Sequence, residues 1–432
     1  MNRLIIAGTG SGCGKTTASL LVMAALTRQG LKVAPYKVGP DYIDPEFHQV
    51  ICGNASYNLD RWLMPDADLF RVLNRPMDVG IIEGVMGYYD GLDLSLACST
   101  WDIARTVRTP VILVVDGSGG AASVAATVKG FCEFQTPSQI AGVLVNRVSG
   151  QHHYSLIRDA ISRYCGLPCV GYLHRQTDLV FHSRHLGLVP AVETRALQQR
   201  VTAALRDAAQ TLDTAAMLDL AAQAEPLPET VPEPLPDFGG FRLGIARDEA
   251  FHFYYPDNLD LLQRCGMTLC PFSPIHDSAL PDHLDGLYLG GGFPEVFADT
   301  LEANVLMREA IFDALAGGLP CYAECGGLMY LGQDIDDKSM VGFLPVRCHM
   351  TRRLQRFGYC TVHDTSGLTF PAHEFHHAAV QPLPGAETVY TITKAGQPDK
   401  SWTCGYRKAR TLGAFAHVMF AGRPELIRRF WG

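Results

Sequence analysis

Residues 8–17, GTGSGCGKTT, have the residue types of a phosphate-binding loop. The strict pattern places four residues between its outer glycines, whereas five separate Gly8 from Gly14 here and Thr9 occupies the strict position. The apolar run LIIAG precedes the loop and a segment with helical spacing follows it, so the loop joins a strand to a helix. A structural glycine-rich turn is the alternative, but such a turn does not need the Lys-Thr pair. We therefore predict a nucleotide site.

The residues that we predict to bind the nucleotide supply backbone N–H groups, charge or hydroxyl groups. Glycines let backbone N–H groups converge on phosphate oxygens, the lysine adds a positive charge, and the first threonine offers a hydroxyl to Mg²⁺. They are Gly10, Gly12, Gly14, Lys15, Thr16 and Thr17. ATP and Mg²⁺ are accordingly the predicted ligands, with Thr16 as one metal contact.

Charged groups also follow two of the later apolar runs, at the strand ends where parallel sheets bind their ligands. Glu83 ends the run VGIIE, and a buried carboxylate needs a compensating cation, so we predict that it contacts Mg²⁺. The segment KVGPDYID places Lys37 beside the nucleotide and Asp41 at a second metal contact. Tyr42 and Asp44 are predicted to contact an anionic substrate. The alternative for this loop is a capped turn.

Asn146 ends the apolar run VLVN at another predicted strand end. Its amide suits the edge of an adenine ring, so it joins the predicted nucleotide-binding residues. Asparagine at such a position is equally typical of a cap, and the sequence leaves both interpretations open.

The second half of the chain contains CYAECGGLMYLG, in which an apolar strand runs into a Gly-Gly corner and then a helix. Cys325 would lie on this strand-to-helix elbow, where the helix N-terminus stabilises a thiolate. The backbone N–H of Gly326 and a second corner at Gly291 and Gly292 are predicted to bind an oxyanion. Cys321, earlier on the same strand, is interpreted as a buried structural cysteine.

A nucleophilic cysteine requires a base, and two histidines compete for that role. His417 ends the strand-like run GAFAH near the end of the given sequence, and His376 lies in HEFHHA. Spacing alone does not choose between them.

The elements that position these residues indicate two α/β domains. Apolar runs alternate with helix-like segments in both halves, which predicts βα units around mostly parallel sheets. Residues 224–240, AEPLPETVPEPLPDFGG, concentrate proline and acid without periodicity and are interpreted as a stiff linker. We therefore predict an ATP-binding domain over residues 1–223 and a second domain over residues 241–432.

Composition excludes several classes of protein. A length of 432 residues with a net charge of −8 and no basic stripe argues against nucleic acid as the main partner. No apolar run is long enough to span a membrane, and no secretion signal is expected. The thirteen scattered cysteines without a Cys-x-x-Cys pair indicate a reducing cytoplasm. The oligomeric state is not readable, and a homodimer is left open.

Nine segments together resemble the cobyrinic acid a,c-diamide synthase family, the glutamine-dependent amidoligases of cobalamin biosynthesis. They are AGTGSGCGKTT, KVGPDYID, IEGVMGYYDG, PVILVVDG, GVLVNRV, DEAFHFYYPDNLDLL, LGGGFPE, YAECGGLMYLG and RFGYC. The first half is similar to dethiobiotin synthetase-type nucleotide-binding domains, whose loop has the same early glycine. The second half is similar to class I glutamine amidotransferases, in which the matching residues, Cys325 and His417, are nucleophile and base.

The resemblance implies that ATP phosphorylates the a and c carboxylates of cobyrinic acid and that ammonia from glutamine attacks the acyl phosphate. Synthases acting on hydrogenobyrinic acid or nickel-sirohydrochlorin would look the same. A P-loop ATPase switch that binds a partner is an alternative from another class, but it gives the Cys325 elbow no purpose. The sequence departs from the family at His252, Ala372 and Met419, where the family usually has asparagine, glycine and histidine. The departure at His252 bears on the expected substrate contacts, and the other two do not touch Cys325 or His417.

Overall fold

A computed structural model describes residues 1–175, 191–231 and 234–432, with the backbone alone described for residues 191–197. The described residues form two compact units. The N-terminal unit ends at Val231, and the C-terminal unit comprises Trp62–Met64 and the chain that continues to Gly432. Both are α/β, as predicted. Within the described ranges, no helix is both long and apolar enough to cross a membrane.

The N-terminal unit is built on one parallel sheet. Its strands are β1 (Asn2–Gly8), β2 (Val33–Val38), β3 (Tyr57–Leu59), β4 (Val79–Glu83), β5 (Val111–Asp116), β6 (Ile140–Val148) and β7 (Cys169–His174). They lie in the order β3-β2-β4-β1-β5-β6-β7. Strands β1, β2 and β4 are buried almost throughout, which explains their continuous apolar runs.

Helices connect these strands. They are α1 (Lys15–Arg28), α2 (Ile43–Cys52), α3 (Asp66–Leu73), α4 (Thr100–Thr106), α5 (Ala122–Phe134), α6 (Gln151–Cys165), α7 (Ala191–Ala208) and α8 (Thr214–Ala221). Strand β1 lies between β4 and β5, and β4 also pairs with β2. The carboxyl ends of β1, β2 and β4 therefore meet at one edge of the sheet.

The C-terminal unit contains a larger mixed sheet. The strands of the unit are β8 (Arg242–Ala246), β9 (Phe251–Phe253), β10 (Thr268–Phe272), β11 (Gly286–Leu289), β12 (Gly291–Gly292), β13 (Cys321–Glu324), β14 (Asp334–Ile335), β15 (Lys338–Ser339), β16 (Val346–Met350), β17 (Arg356–Asp364), β18 (Thr369–His376), β19 (Ala378–Pro382), β20 (Glu387–Lys394), β21 (Gln397–Lys408) and β22 (Thr411–Ala414). Its helices are α9 (Pro256–Arg264), α10 (Ala298–Ala303), α11 (Val305–Ala316), α12 (Gly326–Leu331) and α13 (Pro424–Trp431).

The main sheet has the order β10-β8-β11-β13-β22-β21-β20-β17-β18. The strands from β10 to β22 pair in parallel, and those from β22 to β18 pair antiparallel. The parallel half was predicted from its apolar runs, whereas the antiparallel half was not. Strands β13 and β22 are neighbours, so the residues that follow them, Cys325 and His417, start from adjacent strand ends.

Candidate active sites

The glycine-rich loop leaves β1 and enters α1 at Lys15. Gly14 precedes the helix with φ 95°, a left-handed conformation that favours glycine. A Cβ at Gly14 would lie 2.0 Å from Asn146 Nδ2, whereas a Cβ at Gly10 or Gly12 would meet open space. The loop therefore leaves room on the side of Gly10 and Gly12, where backbone N–H groups can receive an anion.

Asn146 lies at the end of β6 and is buried against the loop. Its Nδ2 donates to the Cys13 carbonyl at 2.9 Å, and its Oδ1 accepts from Arg147 N at 2.8 Å. The amide thus braces the phosphate loop, which favours the structural interpretation over the adenine contact. Adenine recognition by Asn146 stays a prediction.

The structure brings Lys37 and Glu83 together with Thr16 at the strand ends. The Thr16 hydroxyl donates to Glu83 Oε1 at 2.7 Å, and Lys37 Nζ lies 3.0 Å from the same oxygen. Burial alone would raise the pKa of Glu83, but Lys37, His48 and Thr16 outweigh it and hold that pKa below its usual range. Glu83 therefore stays ionised although it is fully buried.

Lys37 also pairs with Asp44 from the first turn of α2, so one ammonium group serves two carboxylates. Burial and the charge of Glu83 raise the pKa of Asp44. Burial lowers the pKa of Lys15, whose Nζ lies 3.4 Å from the Gly10 carbonyl at the mouth of the loop. An incoming phosphate would compensate the buried ammonium group of Lys15.

The remaining predicted residues of this site lie around its rim. Asp41 Oδ1 accepts from the backbone N–H groups of Ile43 at 2.8 Å and Asp44 at 3.4 Å, so its carboxylate caps the start of α2. That contact favours the capped-turn alternative, and a metal contact of Asp41 stays a prediction. Tyr42 directly precedes α2 and Thr17 lies in the first turn of α1, both half-buried.

Sequence reasoning missed His48, which is fully buried on α2. Its Nε2 lies 2.8 Å from Glu83 Oε2 and its Nδ1 lies 2.9 Å from Ser56 Oγ. His48 therefore fixes the second oxygen of the carboxylate whose first oxygen contacts Thr16 and Lys37. The signal was present, because His48 follows Asp44 by four residues and shares its helix face.

Cys325 lies at the elbow between β13 and α12 with φ 48°, a strained conformation for a residue with a side chain. Its N–H donates to the Ala414 carbonyl at 2.7 Å, which anchors the elbow to β22. Strain held in place by a backbone hydrogen bond is typical of a nucleophile elbow.

His417 follows the strand that neighbours β13, and the Cys325 side chain contributes to the shift of its pKa. The Nδ1 atom of His417 lies 3.3 Å from Glu324 Oε2. Burial alone would lower the pKa of His417, but the hydrogen bonds and charges of Cys325 and Glu324 raise it to about 10. His376 instead stacks on Phe415 with ring centroids 3.8 Å apart. This arrangement favours His417 over His376, and the role of His417 as the base stays a prediction.

Glu324 is the second residue that sequence reasoning gave no role. Its carboxylate is 1% exposed and faces an imidazole that is 3% exposed, so the pair is shielded from water. A buried carboxylate at the end of an apolar strand needs a partner, and that requirement was the available signal. Glu324 can hold the Nδ1 proton of His417 and leave Nε2 to the sulfur.

The two predicted glycine corners meet beside this pair. A Cβ at Gly326 would lie 3.2 Å from the backbone nitrogen of Gly292, and a Cβ at Gly291 would lie 2.7 Å from His417 Cε1. Gly292 has φ 154°, and a Cβ there would lie 2.0 Å from the Ala250 carbonyl oxygen. A side chain at these positions would collide with the protein itself, so glycine allows the two corners to lie against each other.

The three departures from the family all lie in the C-terminal unit. His252 is on β9, the strand that pairs with Gly291 and Gly292, and burial lowers its pKa to about 4. Ala372 pairs with Cys360 inside the sheet, and Met419 is buried. None of them replaces a contact between Cys325, His417 and Glu324.

Across the described residues, no cluster of three or more His, Cys, Asp or Glu side chains is arranged to hold a metal ion. Thr16 and Glu83 nevertheless present two oxygen atoms at one point, the ligand type that Mg²⁺ prefers when it also keeps waters and phosphate oxygens.

Comparison with known proteins gives matches to both units. Residues 4–186 match the CobQ/CobB/MinD/ParA nucleotide binding domain, and residues 242–425 match the CobB/CobQ-like glutamine amidotransferase domain. The chain is 42% identical to the cobyrinate a,c-diamide synthase of Listeria monocytogenes over 100% of its own length and 99% of that protein. The synthase of the same name from Salmonella typhimurium is also 42% identical, over 99% of this chain and 96% of that protein. The Caldanaerobacter subterraneus synthase is 38% identical over 99% and 97%.

Proposed function

The chain belongs to the cobyrinate a,c-diamide synthase family, and from that premise we propose that it converts the a and c carboxylates of cobyrinate into amides with ATP and glutamine. The observation that carries this proposal is the coexistence of two chemically distinct sites in one chain. One is a phosphate loop backed by Lys37 and Glu83, and the other is a cysteine elbow paired with His417.

The N-terminal site activates the carboxylate. A carboxylate does not react with ammonia at neutral pH, so the γ-phosphate of ATP is transferred to a carboxylate oxygen, and an acyl phosphate and ADP form. Lys15 and Lys37 neutralise charge on the transferred group, and the backbone N–H groups of Gly10 and Gly12 orient it. His48 and Thr16 keep the Glu83 carboxylate fixed during this step.

Mg²⁺ fits the donor set at this edge of the sheet, because Thr16 Oγ1 and Glu83 Oε1 are hard oxygen atoms only 2.7 Å apart. When bound with the nucleotide, the ion would spread the phosphate charge. Asp41 is the second proposed contact. Tyr42 and Asp44, at the start of α2, are proposed to face the substrate.

The C-terminal site produces ammonia. The Cys325 thiolate attacks the side-chain amide carbon of glutamine, and the resulting oxyanion accepts hydrogen bonds from the backbone N–H groups of Gly292 and Gly326. His417, with a pKa of about 10, carries the proton that the leaving amine takes. Water then hydrolyses the thioester to glutamate and restores the thiolate.

Ammonia from this site attacks the acyl phosphate, forms the amide and releases phosphate. Producing ammonia within the same chain avoids its dilution and its protonation in bulk water. This advantage is a physical reason for joining the two units in one chain. A P-loop switch protein would have no use for the strained Cys325 elbow or its buried His417 partner.

A direct product assay tests the proposal. The protein is incubated with ATP, Mg²⁺, glutamine and cobyrinic acid, and separately with hydrogenobyrinic acid and with nickel-sirohydrochlorin, followed by mass measurement. We expect two carboxylate-to-amide conversions on cobyrinic acid and none when ATP or the nitrogen donor is omitted. Conversion of another macrocycle in preference to cobyrinic acid would contradict the proposed substrate.

A further inference from the structure

The segment RFGYC at the start of β17 has no role in either site, yet it forms an exposed aromatic surface with β18. Phe357 lies opposite Phe375 in the antiparallel pair, and their rings contact with centroids 5.7 Å apart. Phe357 is 59% exposed, Phe375 is 51% exposed, and the neighbouring Leu354 is 41% exposed. Contiguous apolar side chains of this size on a surface indicate a binding site.

Positive charge surrounds these rings in a chain whose net charge is −8. No aspartate or glutamate occurs between Asp337 and Asp364, whereas Arg352 and Arg353 lie in that interval and are exposed. Within the part of the chain that the structure describes, neither guanidinium forms an ion pair with a carboxylate. Lys394 donates to the Phe357 carbonyl, and its ammonium lies 5.9 Å from the centre of the Phe357 ring.

The loop that carries the arginines is attached to the end of β18. Thr351 N donates to the His377 carbonyl at 3.1 Å, and Gln355 N donates to the His376 carbonyl at 2.9 Å. The ring of His377 in turn contacts Phe375. The arginines therefore belong to the same part of the surface as the aromatic pair. Because side chains alternate along a strand, the acidic Glu374 lies on the other face, where it is buried.

We propose that this cationic aromatic surface, formed by Arg352, Arg353, Leu354, Phe357, Phe375 and Lys394, binds the macrocyclic polycarboxylate substrate, an inference that rests on the proposed function. A tetrapyrrole-derived macrocycle has a broad apolar face and a rim of carboxylates. Aromatic rings pack on the face, and guanidinium groups form paired hydrogen bonds with rim carboxylates. The arrangement of the surface therefore complements both features.

The same strand leads directly to the ammonia-producing site. His373 is two residues before Phe375 on β18, and its backbone exchanges hydrogen bonds with His417 at 3.1 and 2.9 Å. A macrocycle held on the surface would thus lie beside the strand that supports the general base.

The proposal is tested by equilibrium titration of the full chain with cobyrinic acid, in which the absorbance of the macrocycle reports binding. A double variant, Arg352→Glu with Arg353→Glu, should raise the Kd about tenfold at low ionic strength, and Phe357→Ala should also weaken binding. Added salt should weaken binding by the wild type but change the double variant little. The hepta-ester of the macrocycle, which lacks carboxylates, should bind both proteins similarly.

Arg264→Glu is the control for a single charge reversal, because it replaces an exposed arginine at the end of α9, and it should leave the Kd unchanged. Melting temperatures identify any variant that fails to fold. If a variant does not fold, Phe375→Ala, which changes a half-exposed position, is tested in its place. An unchanged Kd in the folded double variant would overturn the surface and leave the proposed function intact. A change only in sedimentation would assign the surface to contacts between copies and also overturn it. If the wild type neither binds nor amidates cobyrinic acid, both proposals fall together.

Discussion

Replacing Glu324 with glutamine removes one buried charge from the ammonia-producing site with almost no change in shape. The carboxylate lies 3.3 Å from His417 Nδ1 and is 1% exposed, so water does not screen the interaction. A hydrogen bond to a charged group contributes about 1.5–3 kcal/mol, which corresponds to roughly one to two pKa units. We therefore expect the pKa of His417 to fall from about 10 to roughly 8–9 in the variant.

The pH profile of glutaminase activity measures this change. His417 must be protonated to donate a proton to the leaving amine. Wild-type activity should therefore decline as the pH rises through about 10. In Glu324→Gln the decline should begin about one to two pH units lower. At neutral pH His417 stays protonated, but kcat/KM should still fall about tenfold because the imidazole loses the partner that orients it. The same sign applies to stability: the contribution of the raised pKa is present below about 6.5 and is lost as the pH rises through about 10.

Asp364→Asn is the matched control for this experiment. Asp364 is also a buried carboxylate of the C-terminal unit, but its partner is Arg429 at 3.1 Å. Its loss should lower the melting temperature without moving the alkaline limb of the activity profile. An alkaline limb that stays at the same pH in folded Glu324→Gln would refute the role of Glu324 as the residue that positions His417.

Three further predictions concern the nucleotide site. Lys15→Ala should abolish amide formation and ATP hydrolysis while slow glutaminase activity survives. Normal ATP turnover in this variant would contradict the assignment of the loop as the nucleotide site. Glu83→Gln should weaken the Mg²⁺ dependence and the turnover of ATP more than it lowers stability, since Thr16 can still donate to the amide oxygen. A large drop in melting temperature with unchanged Mg²⁺ dependence would show that Glu83 is a structural residue instead. Gly14→Ala should lose ATP binding, measured by calorimetry, because its Cβ would collide with Asn146 at 2.0 Å and φ is 95°; retained affinity would show that the loop can shift.

The sequence predicted the parallel strands well, because a strand buried on both faces is a continuous apolar run. It missed β3, Tyr57–Leu59, which is too short to show a pattern. It also missed the antiparallel half of the C-terminal sheet, because strands such as β17 and β18 alternate buried with exposed side chains and therefore lack a continuous apolar run. The proposed linker over residues 224–240 stays a prediction, and the border between the two units after Val231 lies within that range.

The site residues that could be predicted were those recognisable from their local sequence. Residues next to glycine corners, such as Lys15 and Cys325, were recognisable because the local backbone requires those glycines. Partners that arrive from another element were not, since a histidine on a helix such as His48 looks like any buried histidine until the fold places Glu83 beside it. Spacing likewise did not separate His417 from His376, because it does not show which strand lies next to β13.

The nitrogen source of a Cys325→Ser variant tests the separation of the two chemistries most directly. Serine is nearly the same size as cysteine but far less ionised, so attack on glutamine should fall by orders of magnitude while the fold survives. Amide formation on cobyrinate should disappear with glutamine and persist with ammonium salt at high pH, because the acyl phosphate forms at the other site. A folded, ATP-binding variant that forms no amide with either nitrogen donor would contradict the two-site mechanism.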